Sequence, residues 1–269
     1  MLIADVARRP AGPDPVRGSI RSSLTPAGWS AGFGERIEPE SIVQDDSAVV
    51  AIENIIVEPP GEGVVVDPMA WFDSPGPFEL EIGCGKGGFL LSRARAHPDV
   101  RLLGIEWANK YFRYCADRMA RWGLSNVRVM RTDAKYFVMR HLPAGCVSVL
   151  HLYHPDPWPK KRHHKRRLVQ DDFVEAAVRV LAPEGRLQVQ SDHEEYFIQI
   201  RDLLGHRLEL TEVAWDEAAP VADPEWRGTN YEIKYGREGR VIYRAAYCRR
   251  EGRGVPAIAS PPRCQRSPN

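Results

Sequence analysis

The chain has 269 residues, 43% hydrophobic and 27% charged, enough for one large domain or two small ones. No run approaches the roughly 18 to 20 consecutive apolar residues of a membrane-spanning helix, and the first residues lack a basic stretch leading into an apolar block, so neither membrane spanning nor signal-peptide secretion is expected. The net charge of only +1 hides segregation: Lys160, Lys161, Arg162, Lys165, Arg166 and Arg167 lie together without an acid, eight arginines from Arg237 onward face two glutamates, and acids cluster from Glu35 to Glu58. Such basic tracts either sit solvated in a loop or meet a polyanion.

In chain order, residues 1–40 are rich in Pro, Gly and Ser without sustained periodicity and are expected to be loosely attached, as is the Pro, Gly and Arg-rich stretch 251–269. Apolar runs between 41 and 70 read as short strands or as an arm over the core. From Pro77 the pattern becomes regular. Strands are expected at Phe78–Ile82, Arg101–Ile105, Val127–Arg131, Val147–Tyr153 and Arg186–Gln190. Between them fall helices over Lys86–Ala96, Ala108–Trp122, Ala134–His141 and Asp171–Leu181, with another over Asp192–Leu204. Two late strand-like runs, Leu208–Ala214 and Arg240–Tyr247, close the pattern. The alternation implies a mainly parallel sheet covered on both faces, in a domain over 67–250 flanked by an extension, 1–66, and a tail, 251–269. Five cysteines, odd in number and scattered, suit neither a disulfide framework nor paired zinc ligands, so a reducing cytoplasm is expected.

The first regular strand runs into Glu81-Ile-Gly-Cys-Gly-Lys-Gly-Gly88 and then a helix. Glycines there permit a tight turn and let a ligand approach the backbone. Gly83, Gly85 and Gly88 also satisfy G-x-G-x-x-G, which leaves a dinucleotide-dependent dehydrogenase and an S-adenosylmethionine methyltransferase both open, along with a turn that binds nothing. Glu106 ends the next strand, where a carboxylate can accept from ribose hydroxyls. Asp133 ends the third, where it can meet an adenine amino group or simply cap a helix. Three acids at successive strand ends make the crevice negative and favour a sulfonium cofactor over an anionic pyrophosphate.

The most informative run follows the fourth strand: Tyr153-His-Pro-Asp-Pro-Trp-Pro-Lys-Lys-Arg-His-His-Lys-Arg-Arg167. Pro155, Pro157 and Pro159 stiffen the backbone around Asp156 and Trp158. His151, His154, His163 and His164 lack a nearby cysteine or acid pair to complete a metal site, so no metal is expected. Taken with E-I-G-C-G-K-G, G-I-E and D-A upstream, P-D-P-W-P-K-K-R-H-H-K-R-R resembles the tRNA (guanine-N7)-methyltransferase family over about residues 77–248. The resemblance implies a Rossmann-like fold with a seven-stranded sheet, S-adenosylmethionine as cofactor, and tRNA as the partner, methylated at a variable-loop guanine, usually position 46.

It also implies roles. Glu81, Gly83, Glu106 and Asp133, joined by Asp156, line the cofactor, and Asp156 serves catalysis. Lys160 and Arg162 stand with the basic tract toward RNA phosphates, while Asp192 and Thr229-Asn230-Tyr231-Glu232 engage the substrate. Asp192 also reads as a helix N-cap, and Thr229 with Glu232 as a capping box. The chain departs from the family pattern at His154, where many relatives carry Phe, and at Trp107, Asn230 and Tyr231. A methyltransferase acting on another RNA or a small molecule, and a non-catalytic RNA-binding module, are the alternatives.

Overall fold

The computed structural model of the chain describes residues 49–215 and 241–250. The strands are β1 (Ile56–Val57), β2 (Phe78–Ile82), β3 (Arg101–Ile105), β4 (Val127–Met130), β5 (Val147–Tyr153), β6 (Leu181–Ser191), β7 (Leu210–Val213) and β8 (Tyr243–Arg249). The helices are α1 (Gly88–Ala96), α2 (Asn109–Arg121), α3 (Ala134–Arg140), α4 (Asp171–Val180) and α5 (Glu194–Gly205). None of the described helices is long and apolar enough to cross a membrane.

The strands form one sheet in the order β1-β4-β3-β2-β5-β6-β8-β7, parallel as far as β6, with β8 inserted antiparallel between β6 and β7. Strands β2, β3 and β4 are buried at every residue, as parallel strands covered on both faces must be. Helices α1 and α2 pack on one face, where Leu90, Leu91, Cys115 and Met119 meet Leu102, Val127 and Val129. Helices α3, α4 and α5 cover the other, where Phe137, Phe173, Tyr196 and Ile200 meet Leu80, Leu103, Leu150 and Leu187. The inward residues of α2, Phe112, Cys115, Ala116, Met119 and Ala120, follow the spacing of an amphipathic helix. The chain moves outward from β2 to β3 and β4 on one side and through β5 and β6 on the other, which opens a crevice at the carboxyl ends of β2 and β5.

The α/β architecture expected from the sequence is present, with eight strands among the described residues in place of seven. The extra one is β1, whose two residues pair with Val129 and Met130 at the edge, while the segment leading into it is tied to α2 by Val50 N–H donating to the Ala120 carbonyl at 3.2 Å. Strand β6 begins at Leu181, five residues before the expected Arg186, because Leu181 already pairs with Val147 across a register shift. Helix α1 starts at Gly88, since the glycines before it adopt left-handed angles.

Asn126 joins α1 to the sheet. Its buried amide nitrogen donates to the carbonyls of Ala94, His97 and Val100 at 3.1–3.2 Å, which closes the carboxyl end of the helix. Asn126→Ala removes a donor from all three carbonyls, of which His97 keeps Val100 N–H and Val100 keeps Arg101, and a urea titration should show a lowered midpoint at unchanged slope, a loss of about 1–2 kcal/mol.

Candidate active site

The loop after β2 lies at the opening of the crevice. Gly83 has φ +77°, a conformation open to glycine at little cost, and its N–H donates to the Ile105 carbonyl at 2.8 Å. Gly87 has φ +70°, and a Cβ there would fall 2.5 Å from Cys115 Sγ and 2.8 Å from Met119 Cε. Loop and α2 are therefore in contact with no room for a side chain. Glu106 fixes the same junction: Oε2 accepts from Gly85 N–H at 2.9 Å and Oε1 from Ala108 N–H at 2.7 Å. Each oxygen keeps a further lone pair for a ligand hydroxyl. Asp133 caps α3 by accepting from Tyr136 N–H at 2.9 Å, the structural alternative recognised in the sequence.

Glu79 and Glu81 point to the same face of β2 and have opposite surroundings. Burial alone raises Glu79, but hydrogen bonds and charge from His151 and Arg93 bring it down to about 2. Arg93 grips both oxygens at 2.6 and 2.9 Å, and His151 Nε2 lies 2.9 Å from Oε2. His151 is thus a satisfied core histidine on a buried strand; its other nitrogen meets the Tyr153 hydroxyl at 2.9 Å. Glu81, only 3% exposed, has an Oε2 without a partner. Burial, with the neighbouring charge of Glu106, pushes it up to about 8. An orphan carboxyl oxygen beneath a glycine loop suits a cationic ligand group, which would supply the missing partner.

The rim beyond β5 is built around a misleading residue. Arg167 belongs by sequence to the basic tract expected to face phosphates, yet it is 2% exposed. Its Nε donates to the Pro157 carbonyl at 2.8 Å, its guanidinium lies 4.7 Å from the centre of the Tyr196 ring, and its terminal nitrogens reach Gln199 and Glu195. Arg167 is therefore a fastening between the proline-rich segment and α5 and makes no phosphate contact. The remaining cations, Lys160, Lys161, Arg162, Lys165 and Arg166, are exposed, most of them on a 3-10 turn over Lys161–Arg166. Trp158, at φ +42°, carries the Arg166 guanidinium 5.1 Å above its ring and the His163 ring edge-on at 5.8 Å.

Asp156 stands exposed between the prolines, with no side-chain hydrogen bond among the described residues. Asp192 is not the cap of α5; His193 is, its Nδ1 accepting from Tyr196 N–H at 3.3 Å. Asp192 instead meets His154 Nδ1 at 3.3 Å. Thr229, Asn230, Tyr231 and Glu232 lie outside the described residues. Among the described residues no group of three or more ligating side chains converges on a metal position. The Glu79 ion pairs and the His154–Asp192 contact were missed by sequence reasoning, although two glutamates alternating in a fully buried strand signal that at least one needs a buried partner.

The Glu81 carboxyl holds its proton more tightly folded than unfolded. It therefore costs nothing below its ordinary value of 4.5 and opposes folding increasingly between there and about pH 8. Glu81→Gln should match the wild-type protein in urea stability near pH 4 and exceed it by about 1 kcal/mol or more near pH 8.

A family model described as "Putative methyltransferase" matches residues 75–245. A tRNA (guanine-N(7)-)-methyltransferase of Myxococcus xanthus is 36% identical over 179 residues, 65% of this chain and 85% of that protein. Proteins of the same name from Leifsonia xyli, 39% identical over 186 residues covering 69% and 82% of the two chains, and from Alkalilimnicola ehrlichii, 36% identical over 200 residues covering 74% and 83%, match the same way. With the glycine loop, the acids at the strand ends and the proline-rich rim in the places described, the chain belongs to the tRNA (guanine-N(7)-)-methyltransferase family.

Proposed function

We propose that the protein transfers a methyl group from S-adenosylmethionine to N7 of a variable-loop guanine of tRNA, usually position 46, in the cytoplasm. The observation that carries this reading is the position of the unpartnered Glu81 carboxyl under the glycine loop, at the crevice between β2 and the proline-rich exit of β5, in a chain of this family. Glu81, Gly83, Glu106 and Asp133 would hold the cofactor: Glu81 its cationic end, Glu106 the ribose hydroxyls, and Asp133 the adenine amino group. Bound there, S-adenosylmethionine supplies an electrophilic methyl group on a sulfonium and leaves as S-adenosylhomocysteine.

The chain's own contribution is placement and charge. Guanine N7 carries an unprotonated lone pair, so no side chain has to remove a proton. The purine gains positive charge as the new bond forms, and the Asp156 carboxylate, held beside the cofactor between Pro155 and Pro157, offsets it. Lys160 and Arg162 hold RNA phosphates, and Asp192 with Thr229, Asn230, Tyr231 and Glu232 fixes the base, so that alignment supplies much of the remaining acceleration.

Transfer of labelled methyl to tRNA lacking N7-methylguanosine, with the product located by cleavage at the modified base, tests the whole reading; absence of label from the variable loop with the cofactor bound would reject it. Asp156→Ala should lower kcat by about 100-fold or more while the cofactor Kd stays within about twofold, and an unchanged kcat would remove Asp156 from the chemistry. Replacing Lys160 and Arg162 together by Ala should flatten the dependence of log K for tRNA on log salt by about 0.7–0.9 for each lost phosphate contact. An unchanged slope would mean that neither residue touches a phosphate.

A further inference from the structure

The geometry points to His154 as a positioning residue that presents Asp192 to the substrate; the inference rests on the substrate role of Asp192 proposed above. The chain of donors starts at Arg244. Its Nε lies 3.0 Å from Gln190 Oε1, and because a guanidinium nitrogen can only donate, the Gln190 amide must turn its oxygen to Arg244. The amide nitrogen then faces His154 Nε2 at 2.9 Å. An amide N–H donates, so Nε2 must accept and carry no proton. The ring proton is thereby placed on Nδ1, 3.3 Å from Asp192 Oδ1. One chain of donors, Arg244 to Gln190 to His154 to Asp192, thus fixes an amide orientation, a tautomer and the direction of a carboxylate.

The backbone holds this arrangement in place. His154 N–H donates to the Gln190 carbonyl at 2.7 Å, and the residue adopts φ +51°, a left-handed conformation that His, Asn and Asp enter more readily than most side chains. The His154 side chain is 3% exposed and that of Asp192 17%. The ring is therefore enclosed, whereas the carboxylate it orients is partly exposed. A fixed carboxylate loses less freedom on engaging a base than a mobile one, which is how a residue that touches no substrate affects affinity.

The left-handed backbone supplies a clean test, because His154→Asn and His154→Asp fit it alike and differ in whether an N–H or an oxygen faces Asp192. His154→Asn should keep kcat/KM for tRNA within about threefold of wild type, and His154→Asp should lose about 30-fold or more, mainly in KM, with the S-adenosylmethionine Kd of both within about twofold. In an Asp192→Asn background the gap between the two should shrink below about threefold, since no carboxylate remains to be oriented. Equal activities in the wild-type background, or a gap undiminished by Asp192→Asn, would overturn the inference. Independently of any variant, long-range proton–nitrogen correlation of the His154 ring should show the proton on Nδ1, and a proton on Nε2 would overturn it equally. A wild-type protein that methylates no tRNA would overturn the function itself and this inference with it, whereas an active wild type with indistinguishable variants defeats the inference alone.

Discussion

Burial of two carboxyls in one parallel strand is the constraint around which the molecule is arranged. Strand β2 reads Phe-Glu-Leu-Glu-Ile and is covered on both faces, so each glutamate must find a buried partner or give up its charge. Glu79 finds two, Arg93 from α1 and His151 from β5, and those ion pairs tie the central strand to a helix on one side and a neighbouring strand on the other. Glu81, two residues nearer the crevice, finds none for Oε2. The same residue type on the same face is thereby driven to about 2 at one position and about 8 at the other. The first holds the fold together, and the second stays unpartnered at the crevice, where the proposed cofactor would meet it.

The rim depends on that core for its position and on Arg167 for its shape. Two non-glycine residues in left-handed conformations, His154 and Trp158, bracket the segment that carries Asp156, and backbone in that region persists only where the surroundings hold it. Arg167 does part of this through the Pro157 carbonyl, and the Gln190 carbonyl does the rest through His154 N–H. Asp156 is thus carried on a constrained backbone although its side chain has no hydrogen bond among the described residues.

Much of this was legible in the residues. The alternation of apolar strands with amphipathic helices gave the layered sheet, and the element bounds that shifted did so for local reasons. Glycines with positive φ delayed α1, and pairing with Val147 drew β6 back to Leu181. The glycine loop and the acids at the strand ends could be located because their spacing relative to strands carries the information. What could not be read was which charges are buried. Arg167 is indistinguishable in sequence from Arg166 beside it, and only the approach of α5, with Tyr196 and Gln199, decides that one is enclosed and the other open. The link from His154 to Asp192 spans 38 positions and depends on β5 and β6 being neighbours, a fact of topology that no local pattern encodes.

The two-residue strand β1 has a bearing on how the protein can be cut. It lies before the region that the family model matches, 75–245, yet it closes the flank of β4, and the Ile55 carbonyl accepts from Val129 N–H at 2.8 Å. Ile55 itself is fully buried. A version trimmed to the shared region would bare an apolar, hydrogen-bonding strand edge of the kind that recruits other chains. The segment matched by the family model and the segment whose sheet edge is sealed are thus of different lengths, and Ile55–Val57 fall in the difference.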